Sequence, residues 1–193
     1  SVDKTAATPD VKAEEVSYVA SVKSAKTPIY KQAGDKKALT KAGTTYTNEI
    51  FYVYAKKMIG DVAYYELKRK QDDAAIGWVK EKSLKLQTFK YVTNSKKTFY
   101  VKDKGKGYSR PAGGTRNVIY STLKPYKNDV FKSTAKAKVG SATWYVGKIG
   151  ANSVWVKSSS ITSTAPTVEK PTAPTTPDQP ETIVIIEQPV SLV

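Results

Sequence analysis

The sequence contains no cysteine and no histidine among its 193 residues. Without cysteine there is no disulfide, no thiolate nucleophile and no zinc–thiolate site. Without histidine the most frequent metal ligand and a standard general base are missing too. Most nucleophilic and metal-dependent templates fall away, and no catalytic residue, metal site or cofactor is expected. No apolar run reaches the roughly 18 residues of a membrane-spanning helix. The opening stretch SVDKTAATPDVKAEEV has neither the apolar core nor the small-residue cleavage site of a signal peptide. If the parent protein is secreted, this chain is expected to be an internal piece of it.

Acidic residues are scarce as well: 17 against 32 lysines and arginines, a formal net charge of +15. The ends hold much of the acid. Residues 1–17 carry two lysines against four acidic side chains, and residues 163–193 carry one against four, which leaves +20 for the middle. Within that middle, residues 18–88 carry +7 and residues 89–162 carry +13. A folded region this basic attracts polyanions, most strongly at low salt.

Two copies of one module account for most of the chain. IGWVK at 76–80 returns as SVWVK at 153–157, so Trp78 and Trp155 are 77 residues apart, a domain-sized spacing. NEIFYVYAKKMIGDVAYYELKR (48–69) aligns without a gap at an offset of 80 with NDVFKSTAKAKVGSATWYVGKI (128–149). Short β-branched and aromatic runs separated by Gly, Asn and Asp turns predict strands and hairpins. In both copies the odd positions stay apolar or small (Phe51, Val53, Ala55; Phe131, Ser133, Ala135), while the even ones drift from Tyr52, Tyr54 and Lys56 to Lys132, Thr134 and Lys136. Successive side chains of a strand point to opposite faces, so the odd face is predicted as core and the even face as solvent or ligand surface.

The expected organisation is therefore all-β. Residues 1–17 form a linker, 18–88 unit a, 89–162 unit b, and 163–193 a Pro/Thr-rich extended segment. Residues 182–193 are left open as a strand or the start of another module. Residues 86–107 read as nearly continuous strand broken only at Asn94-Ser95, a stiff connection that implies contact between the units.

The candidate ligand surface lies in unit b. Lys132, Lys136 and Lys138 share parity on one strand, and Lys102, Lys104 and Lys106 repeat the spacing. Arg110 and Lys127 add charge, and Tyr108 and Tyr126 offer amphipathic rings. Single edge-strand lysines also serve to discourage aggregation; the asymmetric field favours a polyanion site. Trp78 and Trp155 are predicted as packing, since a barrel of about 70 residues needs a large ring to fill its core. Tyr64 and Trp144 are left between core and groove. Ser133-Thr-Ala-Lys136 matches S-x-x-K, but its serine lies in a strand rather than at a helix start, and Asp72-Asp73 fits a solvated hairpin tip.

IGWVKEKSL, the preceding VAYYEL, the upstream TPIYKQAGDK, and YSRPAGGTR (108–116) followed by NDVF and TWYV resemble the GW repeats, SH3-like modules of staphylococcal and listerial autolysins. The resemblance covers residues 18–162 and implies two tandem SH3-like barrels forming one compact pair. Gly77 of the signature is replaced by Val154 in the second copy, and Ala112 stands where the family usually carries tryptophan. The resemblance implies a noncatalytic module that holds an enzyme with amidase and glucosaminidase domains on the Gram-positive cell wall through lipoteichoic acid. Adhesion to host matrix proteins such as fibronectin and vitronectin is the alternative it implies. Nucleic acid is a third partner class, disfavoured because no RNP-like aromatic motif is present.

Overall fold

Alternating apolar and polar residues, interrupted by glycine and asparagine turns, build an all-β chain. The computed structural model describes residues 11–167. Unit a contains β1 (Glu14–Val22), β2 (Pro28–Ile29), β3 (Thr40–Lys41), one helical turn α1 (Gly43–Tyr46), β4 (Phe51–Ile59), β5 (Val62–Leu67) and β6 (Gly77–Lys80). β7 (Leu84–Val92) leads into unit b, with β8 (Lys97–Val101), β9 (Gly107–Tyr108), β10 (Val118–Tyr120), β11 (Val130–Val139), β12 (Ala142–Ile149), β13 (Asn152–Lys157) and β14 (Ile161–Thr162). The strands curl into antiparallel sheets ordered β10-β9-β13-β12-β11-β7-β1-β4-β5-β6, with β8 paired to β11 and β14.

The repeat is written into the backbone. Asn48 and Asn128, which lead into β4 and β11, have φ of 61° and 72°, and Gly60 and Gly140, which turn the following hairpins, have 64° and 57°. Only glycine and, less readily, asparagine occupy this left-handed region at low cost. That requirement explains why these positions match across the repeat while surface side chains diverge.

β7 serves both units. Leu84–Thr88 pair with Val22–Tyr18 of β1, and from Phe89 to Val92 the same strand pairs with Val139–Lys136 of β11. One strand thus closes the first sheet and opens the second, leaving no free sheet edge between them. Each unit has its own apolar core, around Phe51, Val53, Leu67 and Val79 in unit a and around Phe99, Leu123, Phe131 and Val156 in unit b. A third core joins them: Val19 and Ile50 of unit a meet Ala137, Val139, Trp144 and Trp155 of unit b, with Phe89 of the shared strand between. At about 1.5–3 kcal/mol for each large apolar side chain removed from water, this third core is what docks the units.

Gly77 and Val154 are explained by their neighbours. Gly77 has φ 145°, and a Cβ there would sit 2.6 Å from Ile29 Cγ2 and 2.7 Å from the Tyr30 carbonyl oxygen. In unit b the small and large residues trade strands: Gly107 replaces Ile29, and its added Cβ would lie 3.5 Å from Val154 Cβ.

Two expectations are corrected and a third falls outside the described residues. The first segment is not linker up to residue 17, because β1 begins at Glu14, which pairs opposite Lys56. Residues 86–107 are not one strand interrupted once: β8 ends at Val101, and 102–106 form a loop with Gly105 at φ 93° against Ser160. Most of the predicted Pro/Thr-rich segment, including 182–193, lies outside the described residues.

Candidate polyanion-binding face

β11 alternates as its sequence requires. Phe131, Ser133, Ala135, Ala137 and Val139 are buried, Lys132, Thr134 and Lys138 are exposed, and Lys136 is half-buried. The three predicted lysines do not share one face: the register slips by one residue between Ser133 and Ala135, and this bulge places Lys136 and Lys138 on the opposite side of the sheet from Lys132, with Lys136 across from Tyr145, which packs on the Phe99–Phe131 core. Register adds others that a single-strand reading does not reach. Lys138 stands directly opposite Lys90 of β7, and Lys136 stands opposite Val92 on one side and Tyr145 on the other. Lys132 and Lys148 line one groove of about 450 Å³ with Val130, Thr134, Gly147 and Ser153. Gly147 admits no side chain, since an added Cβ would lie 2.5 Å from the Lys132 carbonyl oxygen and 3.0 Å from the buried Phe131 ring. Like charges directly opposite on antiparallel strands repel, and an anion lying across Lys90 and Lys138 relieves that cost.

The matching face of unit a is tempered by acid. Lys56, the counterpart of Lys136, stands opposite Glu14, and its ammonium lies 5.9 Å from the Tyr65 ring. Tyr65 donates to Glu81 at 3.4 Å, and its phenol is pushed up to about 12 by burial and by Glu81. In unit b, Val92 stands in place of Glu14 and Ser158 in place of Glu81.

The remaining predicted residues are dispersed. Lys102, Lys104 and Lys106 are exposed on the loop after β8, so they do not form a strand-aligned row. Lys127 faces Asp103 at 3.8 Å, both exposed. Tyr126 packs on Tyr120, centroids 4.7 Å apart, and Tyr108 packs edge-on against Trp144 at 5.7 Å; both rings are committed to protein contacts. Ser133 is buried and donates to the Ala135 carbonyl at 3.0 Å, which leaves the S-x-x-K match without an available nucleophile. Trp78 and Trp155 are both buried, as are Tyr64 and Trp144.

Arg110 is the clearest correction. It points into the contact between units, where it donates to Glu49 Oε1 at 2.8 Å and to the Ile50 carbonyl. Arg69 grips the same carboxylate with two bonds, of 2.7 and 3.0 Å. Burial pushes Glu49 up, but the hydrogen bonds and charges of Arg69 and Arg110 outweigh it and hold the carboxyl below its ordinary 4.5. The Asn117 side chain accepts from the Ile50 amide at 2.8 Å, and the Arg116 amide donates to the Asn48 carbonyl at 2.9 Å. The 109–117 loop of unit b is thus fastened to unit a by polar bonds beside the shared apolar core.

With this arrangement in view, a family model accounts for most of the chain. The model of the GW (Gly-Tryp) dipeptide domain matches residues 12–85 and 91–162. The chain belongs to the GW domain family. As a pair of GW repeats it is a noncatalytic binding module. It is similar to the bifunctional autolysin of Staphylococcus aureus strain MRSA252, 29% identical over 172 residues, and to that of strain Mu50, 28% identical over the same length. These matches cover 89% of the chain but only 13% and 14% of the relatives, so the chain spans a small part of their length. Among solved structures it is similar to a protein of Listeria monocytogenes assigned as an autolysin, with a TM-score of 0.43 and 16% identity over 78% of this chain and 64% of that one.

Proposed function

We propose that the chain tethers a cell-wall enzyme to an anionic wall polymer, lipoteichoic acid in the first instance, through the lysines of β11 and its neighbouring strands in unit b. The observation that supports this reading is the register of β11, which sets Lys136 and Lys138 on one face with Lys90 of β7 directly opposite Lys138. Lys132 and Lys148 add a second basic pair at the groove on the other side of the sheet. A chain of phosphodiesters laid along such lysines releases counterions, as nucleic-acid backbones do on basic proteins. The names of the relatives support a parent protein that is a peptidoglycan hydrolase at the surface of a Gram-positive bacterium.

The test is binding of purified lipoteichoic acid by the chain and by its Lys132→Glu/Lys136→Glu/Lys138→Glu variant across a salt series. The reading expects affinity to fall steeply with salt and the variant to lose most of it. A variant that binds as well as the parent removes the β11 lysines from the site. Saturable fibronectin binding that persists at raised salt, without lipoteichoic acid binding, favours matrix adhesion instead.

A further inference from the structure

The opposite side of β7 carries a different chemistry. Because side chains alternate along the strand, Lys90 faces outward with Lys138, while Phe89 and Tyr91 project to the other side, opposite Val139 and Ala137. There, five rings follow one another across both units. Tyr54 and Tyr52 lie nearly parallel, centroids 6.1 Å apart at 8°; Tyr52 is 5.5 Å from Phe89; Phe89 is 6.2 Å from Tyr91; and Tyr91 is 6.0 Å from Trp155. The rings line an open groove of about 230 Å³ completed by Lys70 and Gln71. Phe89 and Trp155 are buried and form the floor, while Tyr91 is 47% exposed and forms a wall.

We propose that this groove between the units binds an uncharged saccharide chain, stacked on Tyr91 and Tyr54. A polyanion needs rows of cations to gain affinity, and the groove offers one lysine, while the sheet directs Lys90 and Lys138 to the far side. A wholly apolar partner leaves the phenols and the Gln71 amide without hydrogen-bonding partners, which carries a desolvation cost. A pyranose meets both demands: its C–H face lies on an aromatic ring, and its hydroxyls reach the phenols, Gln71 and Lys70 at the rim. Burial, followed by Tyr54, pushes the Tyr52 phenol up to about 12, and burial with Tyr91 raises Tyr54, so both stay protonated donors near neutrality. The volume lies below the roughly 300–1,000 Å³ of typical small-molecule sites, so the groove holds a short section of a longer chain.

The test titrates the full chain with chitohexaose, cellohexaose and a short oligothymidylate while following the Trp155 indole N–H by NMR. The expected result is a saturable shift of that signal with one or both oligosaccharides, insensitive to salt. Tyr91→Ala weakens it about tenfold or more. The Lys132/Lys136/Lys138 charge-reversal variant leaves it unchanged, which separates this site from the polyanion face. Tyr91 is exposed enough for its alanine variant to fold, and Tyr54→Ala provides a second probe with the same expected loss. No shift with either oligosaccharide, an unchanged affinity in both tyrosine variants, or a response to oligothymidylate alone overturns the proposal.

Discussion

Each unit contains the same aromatic cluster, and the two copies serve different ends. In unit a, Tyr30 and Tyr64 meet edge-on at 5.8 Å and 77° beside Trp78; in unit b, Tyr108 and Trp144 meet at 5.7 Å and 72° beside Trp155. The backbone pairing agrees, Tyr30 with Trp78 and Tyr108 with Trp155. What lies over the rings differs. In unit a, Lys57 sits 5.0 Å from the Trp78 ring, and Lys80 sits 5.6 Å from Tyr30 and 6.0 Å from Tyr64. In unit b the counterpart of Lys57 is Ala137, fully buried against Val19, Ile50 and Phe89. One scaffold therefore presents a cation-covered surface in the first copy and a docking surface in the second, and a lysine-for-alanine difference at one register position goes far toward deciding which.

The most severe way to break this contrast is Ala137→Lys, which copies unit a into unit b. It places an unpaired ammonium in the core between units and is expected to cost about 4 kcal/mol or more, seen as a large fall in thermal midpoint with loss of unit docking. The reverse change, Lys57→Ala, is expected to cost less than about 1 kcal/mol, because partly exposed cation–π contacts are weak. Similar losses from both changes would contradict the assignment of the two surfaces.

Next in size is Gly77→Val, which copies the second signature into the first. Steric conflict with Ile29 and the Tyr30 carbonyl, added to a left-handed φ, should cost about 3 kcal/mol in chemical denaturation. Because unit b pairs Val154 with Gly107, adding Ile29→Gly to Gly77→Val should recover part of the loss; a double variant no more stable than the single one would show that the backbone, not the side-chain exchange, governs the site.

The smaller effect is on pH. The Glu49 carboxyl is held below its ordinary value in the folded chain, so its contribution is complete above about pH 4.5 and is lost as pH falls through the lowered value. Glu49→Gln should lose about 2 kcal/mol near neutrality, less than for a fully sealed ion pair because Arg69 remains partly in water. The variant's stability should also change less between pH 5 and pH 3 than that of the parent. An unchanged acid dependence would place the titrating group elsewhere.

Much of the fold was legible in the sequence because its constraints are local. The gapless match of 48–69 with 128–149 gave strand identity, and the odd-even alternation gave which residues are buried, but the same parity faces two different cores because a bulge interrupts the two-residue period between Ser133 and Ala135. What was not legible depends on pairing between distant segments. Lys90 joins Lys136 and Lys138 only through register, the bulge after Ser133 sends Lys132 to the other side beside Lys148, and Arg110 turns inward only because Glu49, sixty-one residues away, lies beneath it. Lys102, Lys104 and Lys106 have strand-like spacing, but Gly105 bends their backbone out of a strand. The exchange of Ile29 with Gly77 for Gly107 with Val154 was half visible: the lost glycine could be seen, its compensating partner on another strand could not.

The central claim is that the lysines of β11 in unit b, rather than total positive charge, recognise the polyanion. It is tested most directly by comparing two charge-matched variants, Lys132→Glu/Lys136→Glu/Lys138→Glu in unit b and Lys31→Glu/Lys37→Glu/Lys41→Glu in unit a, for lipoteichoic acid affinity as a function of salt. The account predicts that the unit b variant loses most of the affinity and much of the salt dependence, while the unit a variant keeps both close to the parent. Equal losses in the two variants would contradict it.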